Sequence, residues 1–287
     1  MDSNTLSNEK NYNSKNVLLL GAADGIGLAI SKILEEKNYN VYITSRKKHS
    51  SPLKIKYFQL LATEEKSWLK FTKILDEKKI VFDLIINTIG VLQDKENDVI
   101  PEKSIKDLNS ASFIKNIEAN TLATALCIKY LINYTSNKKH VVIANLTARL
   151  GSISDNNIGG WISYRASKAA QHMIIKTASI EFKRTNKNII LIGLHPGTVK
   201  TKLSDPFSKS AKNIFSTHES GINLLRVIEE LETTGTFKLK KGELRDEAYH
   251  LDKVNDDLIF VREPKSDCYT RLSNENYEKI NNGTISF

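Results

Sequence analysis

The sequence predicts a single α/β domain, a doubly wound parallel sheet with helices on both faces. Three observations predict it. Short apolar runs recur along the chain without the alternation of strands that have one face in water, as expected of strands covered on both sides. Helical periodicity fills the intervals between them, and a glycine cluster stands between the first run and the first helix. The alternation lasts from residue 16 to about residue 232 of 287. One domain accounts for this better than the two that length alone permits at roughly 150 residues each.

The elements follow in order. Val17 to Leu20 forms the first strand, and after it Ile26, Ala29, Ile30, Ile33 and Leu34 fall at i, i+3, i+4, i+7 and i+8, one apolar stripe on a helix. Val41 to Thr44 opens the second strand and completes a βαβ unit. Ile55 to Leu60 is a weaker, more polar strand, followed by a helix over Glu64 to Asp76. Val81 to Ile86 is the next strand, and a long helical stretch with a break covers Ser104 to Asn133. Val141 to Ala144 and Ile189 to Leu194 flank a helix over Trp161 to Arg184, and a last helix covers Ser216 to Glu232. Thr233 to Phe287 has no strong period, and its later half is dominated by Asn, Asp, Lys and Glu. The expected organisation is a disordered leader over 1–15, a folded domain over 16–243, and an extension of unassigned structure over 244–287.

Composition narrows the class. Hydrophobic residues at 40% and charged residues at 26% are ordinary globular usage. Cys127 and Cys268 stand far apart without a partner motif, so neither a disulfide framework nor a metal site is expected, and the reading is cytoplasmic. Met1 to Lys15 lacks the apolar stretch of a secretory signal, and no run approaches the roughly 18 residues that span a bilayer, so no membrane role is expected. The net charge of +9 raises the question of nucleic acid. The lysines are scattered and no recognition motif accompanies them, so they read as solvated surface charge and no nucleic-acid partner is expected.

The chemistry begins at Gly21-Ala22-Ala23-Asp24-Gly25-Ile26-Gly27, directly after the first strand. Glycines let the chain turn sharply, let backbone approach a pyrophosphate, and pack the helix closely on the sheet. The helix N-terminus offers free N–H groups to phosphates. Downstream, Asn87-Thr88-Ile89-Gly90 closes a buried strand. Tyr164-Arg165-Ala166-Ser167-Lys168 places a phenol and an amine one helical turn apart, about 6 Å along the axis. A nearby positive charge favours phenolate over the ordinary tyrosine pKa of about 10, so Tyr164 could exchange a proton with a substrate. His195-Pro196-Gly197-Thr198-Val199-Lys200-Thr201 follows the last strong strand.

These motifs, in this order, resemble the short-chain dehydrogenase/reductase family, with its Rossmann-like domain. The resemblance covers about residues 15 to 243 and implies an oxidoreductase that moves hydride between a nicotinamide dinucleotide and a small carbonyl or alcohol substrate. It implies Tyr164 as general acid/base, Lys168 as the group that lowers its pKa and binds ribose, and Asn120 as the holder of a water that extends the proton relay. For the cofactor it implies Gly21, Asp24, Gly25, Ile26, Gly27, Asn87, Gly90, Tyr164, Lys168, Pro196, Gly197, Val199 and Thr201. At the adenosine ribose, a guanidinium matches a 2′-phosphate bidentately, so Arg46 favours NADP(H) over NAD(H). Asp24 argues the other way, because many NADP-using relatives carry a basic residue there. Leu60-Leu61-Ala62-Thr63 leaves the adenine contact unassigned. The resemblance also implies a homodimer or homotetramer through the helices over Ser104 to Asn133 and Trp161 to Arg184.

One departure stands out. The family ends its fifth strand with a serine pair whose second hydroxyl orients the carbonyl, and counting back from Gly151 puts Ala148 at that place. Thr147 is the first candidate for the missing donor and Ser152 the second. If neither reaches, polarisation rests on Tyr164 alone and turnover is slow. Gly151-Ser152-Ile153, the Tyr164 to Ala170 segment, Gly235-Thr236-Phe237 and Gly242-Glu243 resemble the C-factor-like branch, which includes cell-cell signalling factors and carbonyl reductases. Ala148 therefore keeps a second reading open, a dinucleotide-binding sensor or signalling protein with little turnover. A nucleic-acid binder is a third, resting on charge alone.

Overall fold

In the computed structural model, residues 15–47, 55–94, 99–137, 140–153, 156–185, 188–204, 214–234, 250–253 and 259–262 are described. The strands of the main sheet are β1 (Asn16–Leu20), β2 (Asn40–Ser45), β3 (Lys56–Gln59), β4 (Leu84–Asn87), β5 (Val141–Leu146) and β6 (Ile189–Leu194). All pair in parallel, in the order β3-β2-β1-β4-β5-β6. The helices are α1 (Gly25–Glu36), α2 (Glu65–Lys78), α3 (Ser110–Asn116), α4 (Ala123–Leu131), α5 (Ile162–Thr185) and α6 (Thr217–Thr234).

The apolar runs lack alternation because successive side chains of each strand enter different cores. Val17 and Leu19 of β1 pack with Ile30 and Leu34 of α1 and with Leu224 and Ile228 of α6. Leu18 and Leu20 go to the other face, among Trp68 and Phe71 of α2, Cys127 and Leu131 of α4, and Ile175 and Phe182 of α5. Burying each such side chain contributes about 1.5–3 kcal/mol, which is what holds the layers together. β1 continues outward to β2 and β3 on one side, and the chain crosses to β4, β5 and β6 on the other. The strand order therefore reverses between β1 and β4, and a crevice opens at their carboxyl ends where ligands of such sheets bind.

Three departures from the sequence reading have physical causes. The strand expected from Val81 starts at Leu84, because Phe82 leaves the ladder to bridge Thr135 and Val81 is exposed. The long helical stretch is a 3-10 turn (Ile105–Asp107), then α3, then a π-helical turn (Ile117–Leu122), then α4. In the C-terminal extension, β7 (His250–Lys253) and β8 (Ile259–Arg262) form an antiparallel pair that the sequence had not signalled. The leader over 1–14, Gly235 to Glu243 and Cys268 lie outside the described residues.

Candidate active site

The crevice is built first by glycines. Gly21 sits at φ 72°, and a Cβ there would lie 2.7 Å from Ile89 Cγ1, so the turn after β1 tolerates no side chain. Gly27 lets α1 press on the sheet: a Cβ would lie 2.6 Å from Thr88 Oγ1 and 2.7 Å from Ala22 Cα. Asp24 is the N-cap of α1 in extended backbone, but its side chain makes no capping bond. The first-turn N–H groups of Gly25, Ile26 and Gly27 are thus left without a side-chain acceptor, at the positive end of the helix dipole. This arrangement fits a pyrophosphate. Thr201 faces the same turn from the loop after β6, its Cγ2 lying 3.9 Å from the place of a Cβ on Gly25. Gly197 turns that loop at φ 78°, Val199 bridges Phe215, and the Pro196 carbonyl accepts from Ser220 Oγ at 2.9 Å. At the end of β2, Arg46 is exposed, with its carbonyl taken by Gln59 Nε2 at 3.1 Å.

The reacting side of the crevice is a buried polar lattice. Asn87 Oδ1 accepts from Ile89 N at 3.1 Å, and Asn87 Nδ2 donates to Asn145 Oδ1 at 3.1 Å and Thr124 Oγ1 at 3.3 Å. Asn120 lies in the π-helical turn and clamps the loop after β4. Its Oδ1 accepts from Val91 N at 2.8 Å, while its Nδ2 donates to Val91 O at 2.8 Å and Ser167 Oγ at 2.9 Å. The Asn120 side chain is therefore committed to holding Gly90 and Val91 against α5, and its backbone carbonyl accepts from Thr124 Oγ1 at 3.1 Å. Lys168 donates to Gln171 Oε1 at 2.9 Å and to Leu146 O at 3.2 Å. Gly90 stands beside it, since a Cβ there would lie 3.5 Å from the Lys168 amine.

Tyr164 and Lys168 share one face of α5, the amine 5.8 Å from the centre of the phenol ring. The expected electrostatics do not hold in this arrangement. Burial pushes the Tyr164 phenol up rather than the ammonium drawing it down, and burial lowers Lys168 to about 7. His195 and His172 are likewise lowered to about 4, chiefly by burial, so both are neutral at neutral pH. The site holds a protonated phenol next to an amine whose charged form burial disfavours.

At the end of β5, the residue buried against Tyr164 is Ala148, in a cluster with Leu92 that Leu150, Trp161 and Leu203 cover. Thr147, the first candidate for the missing donor, is buried with no hydrogen-bond partner for its hydroxyl. Ser152, the second, follows the 3-10 turn Arg149–Gly151 and is partly exposed.

Sequence reasoning missed several residues of the site. Gln171 lies three residues beyond Lys168 on the same helix face, a spacing that could have singled it out. Glu102 had no such signal. It is 3% exposed and accepts from Ser163 N at 3.2 Å and from the Ser163 hydroxyl, holding the first turn of α5 from 61 residues away in sequence.

The profile of the family described as short chain dehydrogenase matches residues 15–212. The chain is 27% identical over 235 residues to a Rhodococcus sp. (strain AD45) 1-hydroxy-2-glutathionyl-2-methyl-3-butene dehydrogenase, covering 79% of this chain and 96% of that protein. Over 97 residues, 33% of this chain and 54% of the other, it is 33% identical to the C-signal protein of Myxococcus xanthus. Its fold is similar to the carbonyl reductase Sniffer of D. melanogaster, with a TM-score of 0.64, 22% identity, and coverage of 76% of this chain and 92% of that one. No helix among the described residues is long and apolar enough to cross a membrane.

Proposed function

Because this chain belongs to the short chain dehydrogenase family, whose members are oxidoreductases that bind a nicotinamide dinucleotide, we propose that it is an NADP(H)-dependent enzyme interconverting a carbonyl and an alcohol through a Tyr164/Lys168 relay. One observation carries the reading. The phenol of Tyr164 and the amine of Lys168 stand one turn apart on α5, and the amine abuts Gly90 at the rim of the glycine-lined crevice.

When bound, the dinucleotide supplies hydride to the carbonyl carbon or takes it from the alcohol carbon. The residues of the chain do the rest. Gly21, Gly25, Ile26 and Gly27 receive the pyrophosphate, with Asp24 at the cap and Thr201 across the turn. Arg46 takes the 2′-phosphate. Asn87, Gly90, Pro196, Gly197 and Val199 shape the nicotinamide end. Tyr164, kept protonated by burial, donates its proton to the substrate oxygen, which suits reduction. Lys168 binds the ribose and assists the phenol, and Asn120 holds the loop against which both are set and extends the relay through its backbone. With Ala148 beside the phenol, polarisation of the carbonyl rests on Tyr164 unless the buried hydroxyl of Thr147 supplies a second donor. Cytoplasmic placement and a homodimeric or homotetrameric state complete the proposal. The exposed Met173 and Ile180 of α5 and Ile114 of α3 support such a contact face.

Ala148 beside Tyr164 favours a second reading, a sensor that binds the dinucleotide without turning it over. Titration with NADPH and NADH, followed by a broad carbonyl screen, separates the two. Turnover with tighter NADPH binding supports the proposal, and binding without turnover supports the sensor. Arg46→Ala should weaken NADPH binding by about 10- to 100-fold, the loss of one charged pair, and leave NADH unaffected. Equal losses for both would remove the assignment of Arg46.

A further inference from the structure

Three consecutive residues before α5 hold left-handed backbone: Gly159 at φ 72°, Gly160 at φ 69° and Trp161 at φ 50°. Glycine adopts this conformation freely, but a bulky side chain does so only where its surroundings enforce it. Here both ends are held. Trp161 N donates to the Glu102 carbonyl at 2.6 Å, and the Trp161 carbonyl accepts from Arg165 N at 2.8 Å. The Arg165 guanidinium donates to Gly160 O at 3.0 Å and Gly159 O at 3.3 Å. What this arrangement sets in place is the indole, edge-on to the Tyr164 ring at 6.5 Å and 81°.

Among the described residues, a small apolar cluster adjoins that phenol on the side away from the Lys168 amine's hydrogen bonds to Gln171 and Leu146. Leu92 and Ala148 are buried with it, and Leu150 and Leu203 pack on the cluster. Leu92, from the loop after β4, and Leu203, from the loop after β6, meet in this cluster, and next to them Gln93 Nε2 donates to Lys202 O at 3.3 Å. None of these five neighbours carries a charge or a hydroxyl.

We propose that the substrate is an uncharged aryl aldehyde, or an aryl carbonyl of comparable electrophilicity, seated against Trp161 with its oxygen on the Tyr164 phenol. This rests on the oxidoreductase reading above and names its substrate class. A charged group seated against these apolar side chains would lose its hydration, which disfavours carboxylates. The indole edge and face offer the stacked and edge-on contacts that aromatic rings prefer. Electrophilicity follows from Ala148. Negative charge develops on the oxygen as hydride arrives, and a methyl group stands where a second donor could have met it. Loss of one such donor costs about 10²–10³-fold in turnover, so a carbonyl that is itself strongly electrophilic is the one that reacts. The balance is simple: the carbonyl carbon gains hydride from the reduced nicotinamide dinucleotide, which is oxidised, and the oxygen takes the Tyr164 proton to become an alcohol. Water then restores the phenol.

The test is kcat/KM of the full chain with reduced dinucleotide and four probes. Benzaldehyde should exceed acetophenone, which is less electrophilic, benzoylformate, which is charged, and butanal, which has no ring. Ala148→Ser should raise acetophenone turnover by about 10²-fold and benzaldehyde turnover less. Trp161→Phe should keep the preference for benzaldehyde over butanal, and Trp161→Ala should lose it. Acetophenone, benzoylformate or butanal used as well as benzaldehyde would overturn the substrate class and leave the oxidoreductase reading intact. So would a loss of about 10²-fold or more in Thr147→Val, because the second donor would then be present. Dinucleotide binding with oxidation by no carbonyl at all would overturn both.

Discussion

Replacing Glu102 by Ala should destabilise the protein by about 2–5 kcal/mol. Glu102 is buried at the N-terminus of α5 and accepts from both the N–H and the hydroxyl of Ser163, which is itself 1% exposed. Its removal leaves two buried donors without acceptors, each costing about 1–3 kcal/mol, and withdraws a negative charge from the positive end of the α5 dipole. Against a total stability of about 5–15 kcal/mol this is a large fraction. Thermal unfolding should move down by about 5–15 °C, and urea unfolding should shift its midpoint with little change in slope. Glu102→Gln keeps an acceptor and should lose less than half as much. Because Tyr164 follows Ser163 directly, Glu102→Gln should also lower kcat more than it weakens dinucleotide binding. A midpoint for Glu102→Ala within about 0.5 kcal/mol of the parent would refute the reasoning, since exposed substitutions fall in that range.

Two further outcomes follow from the site. Burial holds Lys168 at about 7, below its ordinary 10.5, so the folded state binds fewer protons than the unfolded one between those values and stability rises with pH across that window. The difference in urea midpoint between the parent and Lys168→Met should therefore move in the parent's favour between about pH 6 and about pH 9; a constant difference would contradict the burial of the charged form. Gly27→Ala would place a methyl 2.7 Å from the Ala22 backbone, and α1 must shift to accept it. The expected cost is about 1–3 kcal/mol in stability, with weaker dinucleotide binding read by fluorescence titration. Parent-like binding and stability would show that the close approach is not needed.

What the sequence made legible was local or periodic. The glycine turn needed nothing beyond its position between Leu20 and the stripe from Ile26 to Leu34, and α1 begins at Gly25 as that pattern requires. The Tyr164 to Lys168 pair was readable because four-residue spacing fixes a shared helix face. The break in the Ser104 to Asn133 stretch was expected but not placed, because a π-helical turn at Asn120 has no period of its own and depends on the loop it clamps. Phe82 explains the misplaced start of β4, since an apolar residue can reach the core without joining the ladder. Glu102, Leu92 and Leu203 were invisible because they meet Ser163 and Tyr164 only through the fold. The direction of the Tyr164 pKa was misjudged for the same reason: spacing reports a neighbouring charge, but not the depth of burial that outweighs it.

The central claim is that the Tyr164 phenol delivers the proton. Tyr164→Phe keeps the ring and its packing while removing that proton, so carbonyl reduction should fall by about 10²–10⁴-fold while the dissociation constant for the dinucleotide stays close to the parent's. Parent-like turnover in the phenylalanine variant would contradict the account.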